Sequence, residues 1–374
     1  MDMSLSEQQK MLKQAARDFL EKESPTTFVR QMEEDPLGYS PEVWRKTARL
    51  GWQALALPEA YGGADGGLLD LGLVFEEVGR ALYPSPLFTT IALGALPVLD
   101  AGTETQRKAI LPKVASGDLI MTLALTETTN SWEPSGVNLT AKKTGDGFAL
   151  NGTKLFIENA HVADRMLVVA RTSTKADGVT VFIVDGKTSG ISMTPLKTIG
   201  SDRQFEVTFK DVRVKAADVL GKVDGGWPVI DHAIARAGAL QAAEMAGGAR
   251  KILEMATEYA KSRVQFGRPI GSFQVLQHML ADMVINVDAA QLLAYEALWT
   301  LDEKVLAERI CAAAKAWASD AYRDATTVSN QIHGGIAYIK EFDHQLWLRR
   351  AKALELKLGH ARVHRERYAR AVGF

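Results

Sequence analysis

The sequence predicts an α+β fold: an N-terminal helical domain, a middle β-barrel-like domain and a C-terminal four-helix bundle. Three observations predict it. Apolar residues recur at helical spacing up to about position 118. From Leu119 to about 222 helix-length patterns are absent, and short β-rich runs punctuated by Gly and Asp turns replace them. From Trp227 the helical period returns in long segments with short connections, which argues an antiparallel bundle. The domain limits therefore read 1–118, 119–222 and 223–374.

Taken in order, Ser4 and Glu7 have capping-box spacing. Leu5, Leu12, Ala16 and Phe19 follow at helical spacing. Pro41 to Leu50 is a short helix, and Leu68 to Leu82 another, with Glu76-Glu77 on its polar side. Between them Gly62-Gly63 and Gly66-Gly67 mark a break. These glycines lack the strand–helix context of a dinucleotide-binding loop, so a Rossmann reading is rejected. In the middle domain Gly145-Asp146-Gly147 between two β-rich runs signals a hairpin. Met166 to Ala170 and Val179 to Val184 have strand length, and Phe205 to Phe209 alternates with period two. Helices then read at about 228–263, 272–300, 304–332 and 341–370.

Composition narrows the function classes. At 374 residues and a net charge of -1, the chain has no long-range pull on nucleic acid or anionic membrane. No apolar run approaches membrane-spanning length. The first residues, MDMSLSEQQK, are polar and acidic, unlike a signal peptide. The single cysteine, Cys311, can form no internal disulfide and no metal site. A reducing cytoplasm fits this best. His360 and His364 lie four apart, but no acidic partner sits between them, so no metal is assigned.

The most informative stretch is Tyr259 to Met283. Pro269 breaks a helix at Phe266-Gly267-Arg268, and Ser272 is a plausible N-cap for its restart. Read alone, this also fits an ordinary helix–helix connection. Taken together, however, Tyr259…Arg263-x-x-Phe266-Gly267-x-Pro269-Ile270-x-x-Phe273-Gln274…His278…Ala281-Asp282-Met283 resembles the C-terminal signature of the acyl-CoA dehydrogenase family. Gln331-Ile332-His333-Gly334-Gly335-Ile336-Ala337-Tyr338 is a second match. Leu125-Thr126-Glu127 with Asn151-Gly152-Thr153-Lys154 is a third. The helical–β–helical order agrees over the whole chain.

The resemblance implies FAD, bound between the β domain, the bundle and a neighbouring subunit. Arg263 would meet the diphosphate of the neighbour's FAD, where a permanently charged five-donor group suits the ligand. Phe266 and Gln274 would contact the same cofactor. Gln331, Gly334 and Gly335 would approach its adenine-diphosphate side. Leu125 and Thr126 would lie along the flavin ring, Thr126 donating to a ring edge. Phe156, Ile157 and Glu158 would face the ring's other side. The implied reaction is α,β-dehydrogenation of an acyl-CoA, with electrons leaving through an electron-transfer flavoprotein and with a dimer or tetramer as the assembly.

The sequence departs from the family pattern at the catalytic base. Leu358, before Gly359, occupies the usual Glu position, and Ala237 the alternative one. Three readings follow. Glu158, Glu244 or Glu355 replaces the base; Glu244 alternatively makes a helix-interior ion pair with Arg250 or a nearby group. Or the chain is the base-lacking, smaller subunit of a heteromeric enzyme, whose relatives act on bulky acyl groups such as steroid side chains. Or it is a flavin-free structural partner. An acyl-CoA oxidase fits the same motifs.

Overall fold

The structure, a computed structural model, describes residues 4–305 and 307–374; Met1–Met3 and Leu306, which the leader and third-bundle-helix readings include, lie outside it. In chain order the helices are α1 (Glu7–Glu23), α2 (Thr26–Glu34), α3 (Pro41–Arg49), α4 (Leu68–Ala81), α5 (Leu87–Thr90), α6 (Leu96–Ala101) and α7 (Glu104–Ala115). The strands β1 (Met121–Ala124), β2 (Thr140–Thr144), β3 (Gly147–Glu158), β4 (Arg165–Arg171), β5 (Val179–Asp185), β6 (Ile191–Leu196), β7 (Gln204–Lys215) and β8 (Val219–Leu220) follow. The rest comprises α8 (Trp227–Ser262), the short strands β9 (Val264–Gln265) and β10 (Arg268–Pro269), α9 (Gln274–Asp302), α10 (Glu308–His333), α11 (His344–Leu356) and α12 (Ala361–Ala371). No helix among the described residues is long and apolar enough to cross a membrane.

The chain divides into two compact units. One holds residues up to Gln31, Gly67–Tyr83 and Gly238–Phe374; the other holds Met32–Gly66 and Pro84–Ala237. In the second unit the described strands run in the order β6-β7-β3-β2-β4-β5-β8, with β1 parallel to β4. The β2–β3 hairpin turns at Gly145, whose φ of 58° favours a residue without Cβ. β7 extends past the predicted run: Phe205, Val207 and Phe209 point into the core, Asp211 bulges out at φ 51°, and Val212 and Val214 return inward. Asn151 braces that bulge, donating to Asp211 Oδ1 at 2.9 Å and accepting from its N–H at 3.0 Å.

In the first unit the capping box falls at Ser6 and Gln9, not at Ser4 and Glu7. Glu76 and Glu77 are buried, not on a solvated face. Lys13 of α1 reaches Glu76 at 2.7 Å, Arg17 reaches Glu77 at 2.8 Å, and Gln291 and Tyr295 of α9 also bond Glu76. Buried carboxylates persist only with such partners. α4 crosses α8 so closely that a Cβ on Gly79 would stand 1.8 Å from the Glu244 carbonyl oxygen. A Gly79→Ala change would therefore force backbone apart, and we expect a loss of about 1–3 kcal/mol in urea unfolding.

The last predicted helix is two. Helix 341–370 breaks at Leu358 and Gly359, whose φ values of 60° and 95° cannot continue a right-handed helix. α11 ends, and α12 restarts with His360 as its N-cap residue.

Candidate functional site

Within the second unit, the candidate cofactor segment is the one after β1. Leu125 is buried there, and Lys154 of β3 is fully buried beneath it. The Lys154 ammonium donates to Leu125 O at 3.0 Å and to Glu127 Oε1 at 2.7 Å. Glu127 in turn accepts from the Asn138 and Leu139 N–H groups at 2.9–3.0 Å. This buried ion pair, with both Glu127 oxygens accepting bonds, ties residues 125–127 into the edge. Thr126 exchanges bonds with Leu155: Leu155 N–H donates to Thr126 O at 2.8 Å, and Thr126 Oγ1 donates to Leu155 O. The hydroxyl read as a donor to a ring edge thus gives its proton to the backbone and offers lone pairs outward.

β3 then bulges between Lys154 and Ile157. The bulge turns Phe156 outward, at φ 59° and half-exposed, and Ile157 inward. Ile157 is 1% exposed, and its side chain belongs to the sheet's apolar cluster. Glu158 ends β3 half-buried, and its carbonyl accepts from Thr122 Oγ1 at 2.6 Å.

The bundle part is a projecting hairpin. After α8, β9 and β10 pair through a turn at Phe266 (φ 52°) and Gly267 (φ 77°), the mirror-image turn that hairpins favour. Arg263 N–H caps Tyr259 O at 2.8 Å, and Ile270 N–H closes the loop onto Arg263 O at 2.8 Å. Phe266 is 91% exposed. The Arg263 guanidinium is exposed and has no partner among the described residues. The helix restarts at Gln274; Ser272 donates to Pro269 O at 2.7 Å and does not cap it. Tyr259 stacks on His333 with ring centroids 4.3 Å apart. That stack joins the hairpin's base to the end of α10, where Gln331, Gly334 and Gly335 lie exposed. A Cβ on either glycine would touch nothing, and Gly334 at φ 67° ends the helix. His333 donates through Nδ1 to Ser329 O at 2.8 Å, and burial lowers its pKa: it is a packed residue behind the exposed face.

At the candidate base positions, Ala237 is fully buried and Leu358 is 4% exposed. Glu355 is held by Arg323 at 3.2 Å and Lys352 at 2.9 Å, so both its oxygens serve ion pairs. Arg250 pairs with Asp288 of α9. Glu244 is buried on α8, close enough for its charge to act on Lys315 and Tyr322.

Sequence profiles match all three parts of the chain: acyl-CoA dehydrogenase N-terminal domain over residues 6–118, middle domain over 122–212 and C-terminal domain over 224–373. The chain belongs to the acyl-CoA dehydrogenase family. It is 33% identical over 375 residues to "Probable acyl-CoA dehydrogenase YngJ" of Bacillus subtilis (strain 168), covering 98% of each chain. The fold matches butyryl-CoA dehydrogenase from Megasphaera elsdenii with a TM-score of 0.93, 30% identity and full coverage of both chains. It also matches a chain of the ChsE4-ChsE5 complex from Mycobacterium tuberculosis, with a TM-score of 0.91 and 27% identity over 100% of this chain and 99% of that one.

For an acyl-CoA dehydrogenase family member, the exposed groups fit FAD. A cation without an internal partner suits a diphosphate, and bare glycine backbone allows close approach. The sequence alone does not mark Lys154 and Lys315 as buried site residues. Lys315 sits between Ala314 and Ala316 and lies one turn from Cys311 and Ser319; small neighbours on that face were the available signal. Burial pushes Lys154 down to about 8 and Lys315 down to about 7. Both folded values lie below the unfolded lysine's, roughly 10.4. Between the two the unfolded chain holds more protons, so stability rises with pH. The urea midpoint should climb from about pH 7 to 9, and Lys315→Met should remove the part of the climb that starts lowest. A midpoint flat across that range would contradict the burial of both amines.

Proposed function

We propose that this acyl-CoA dehydrogenase family member is an FAD-dependent oxidoreductase of acyl-CoA thioesters, working as the base-lacking subunit of an enzyme completed by a second acyl-CoA dehydrogenase-like subunit. The observation that carries this reading is the contrast within the site. The groups suited to FAD are exposed and open, while both usual base positions hold buried apolar side chains.

In α,β-dehydrogenation the α C–H loses a proton to a base, and the β hydrogen leaves with its electron pair. Bound FAD supplies the acceptor for that pair. The chain's own residues do the rest. Lys154 and Glu127 fix the 125–127 edge. Arg263, with Phe266 and Gln274, would hold the diphosphate side of a neighbouring subunit's FAD. Gln331, Gly334 and Gly335 offer an amide and open backbone beside it. Leu358 excludes water and takes no proton. Glu158, Glu244 and Glu355 are the in-chain alternatives as base, and Glu355 is the one held by Arg323 and Lys352.

The assembly is a dimer or tetramer. On α9, Ile285, Leu292 and Trp299 recur every seven residues and are 65%, 50% and 37% exposed, a stripe that a neighbouring subunit would cover. The similarity to a chain solved within a two-component complex supports the heteromeric form. An electron-transfer flavoprotein is the proposed electron acceptor, and the reducing cytoplasm the proposed location. Fatty acyl or steroid side-chain thioesters are the proposed substrate class.

The test is co-expression. The chain alone should purify yellow and leave acyl-CoA unchanged, and co-expression with a base-bearing subunit encoded beside it should give dehydrogenation. Full activity of the chain alone, lost on Glu158→Gln or Glu244→Gln, would establish an in-chain base and overturn the heteromeric reading.

A further inference from the structure

The turn between α11 and α12 is held from beneath by two buried side chains that the reaction as described does not use. Lys315 is 0% exposed; its ammonium donates to Leu354 O and to Ser319 Oγ, both at 3.0 Å. His364 is 2% exposed, and its Nε2 lies 2.9 Å from Leu358 O. A carbonyl only accepts, so Nε2 carries the proton. The two side chains meet at α8: a Cβ on Gly238 would lie 3.6 Å from Lys315 Cβ and 3.7 Å from His364 Cε1. Thus α10 and α12 each send one donor to the turn, one to the last turn of α11 and one to position 358 itself.

That turn is strained. Leu358 sits at φ 60° and Gly359 at φ 95°. A leucine in the left-handed region costs free energy and persists only where its surroundings impose it. Leu358 is also nearly fully buried, so no exposed loop chooses this geometry for convenience.

We propose that Lys315 and His364 are positioning residues that hold position 358 in the left-handed geometry of a base-presenting turn, a seat that this chain keeps although leucine occupies it. This rests on the reading of 358 as the position facing the acyl group's α-carbon.

Electrostatics agree with such a seat. Burial and nearby Lys315 hold His364 down to about 3, so it stays neutral with Nε2–H directed at the turn. Arg367 and His360 face His364 from its own helix and lower it further. Glu355, Glu244 and Asp320 face Lys315 and favour its charge, against burial and Lys357.

The test uses the full-length chain with bound FAD. Hydrogen exchange at amides 357–360 should speed up by about tenfold or more in Lys315→Met and in His364→Leu, with α8 and α9 unchanged. His364→Gln, which keeps a donor at similar reach, should restore the slow exchange. In a second arm, Leu358→Glu should allow acyl-CoA to bleach the flavin, and adding His364→Leu should slow that bleaching without weakening acyl-CoA binding. Unchanged exchange at 357–360, or acceleration spread evenly over the bundle, would overturn the positioning role. Slow exchange restored by His364→Gln together with an inert Leu358→Glu would keep that role and reject the assignment of 358 to the α-carbon. If Lys315→Met fails to fold, the His364 pair decides alone.

Discussion

Arg263→Ala should yield a folded protein that loses FAD on purification. The guanidinium is exposed, unpaired within the described chain and carried on a hairpin whose tip, Phe266, is almost wholly in solvent. Removing it costs the fold nothing, because no internal bond breaks. Losing a charge-assisted bond to a diphosphate costs about 1.5–3 kcal/mol, or roughly ten- to a hundredfold in affinity. Arg263→Lys should recover only part, since an ammonium cannot grip two phosphate oxygens in a fixed plane. The flavin-to-protein absorbance ratio after gel filtration checks both, and unchanged thermal unfolding of the apoprotein excludes a folding defect. Full flavin retention in Arg263→Ala would remove this residue from the cofactor site.

Lys154→Met should instead strike the fold. Lys154 and Glu127 are both buried, and the pair orders the 125–127 edge through Leu125 O and the Asn138 and Leu139 N–H groups. Removing one partner leaves a carboxylate stranded in the core, a loss of about 3–5 kcal/mol. Glu127→Gln should cost less, because a neutral amide still accepts one of the N–H bonds. The double change should cost less than the sum of the singles, which is the signature of a coupled pair. Urea unfolding of the four proteins measures the coupling. Flavin content should fall with Lys154→Met even where the protein remains folded, because the edge along the proposed flavin ring has lost its anchor.

The sequence made the layout legible where periodicity was long. The strands β2 to β5 and β7 and the helices α8 to α10 follow from short β-rich runs and helical patterns, whereas β6 carries no such signal. It failed where local chemistry overrode the pattern. Nothing in the apolar spacing from 341 to 370 announces a break at Leu358, because the left-handed turn there depends on donors contributed by Lys315 and His364. Ser4 with Glu7 and Ser6 with Gln9 offer the same capping spacing, and only tertiary contacts choose between them. Glu76 and Glu77 read as solvated because their cations, Lys13 and Arg17, lie on a different helix.

The site divides the same way. Arg263, Gln274, Gln331, Gly334 and Gly335 were readable as motif positions, and the structure puts each of them at an exposed surface, with Tyr259 and His333 stacked behind. The alternation of β3 is broken by the bulge at 154–157, which turns Phe156 out and Ile157 in. Glu355 looked available from its spacing to Leu358, but Arg323 from α10 and Lys352 claim it. No sequence spacing encodes that pairing between helices.

The central claim is that this chain holds FAD without holding a base. Anaerobic mixing of the purified yellow protein with acyl-CoA, followed by its visible absorbance, tests it most directly. The parent chain should stay yellow, and Leu358→Glu should bleach. Rapid bleaching of the parent chain alone would contradict the claim.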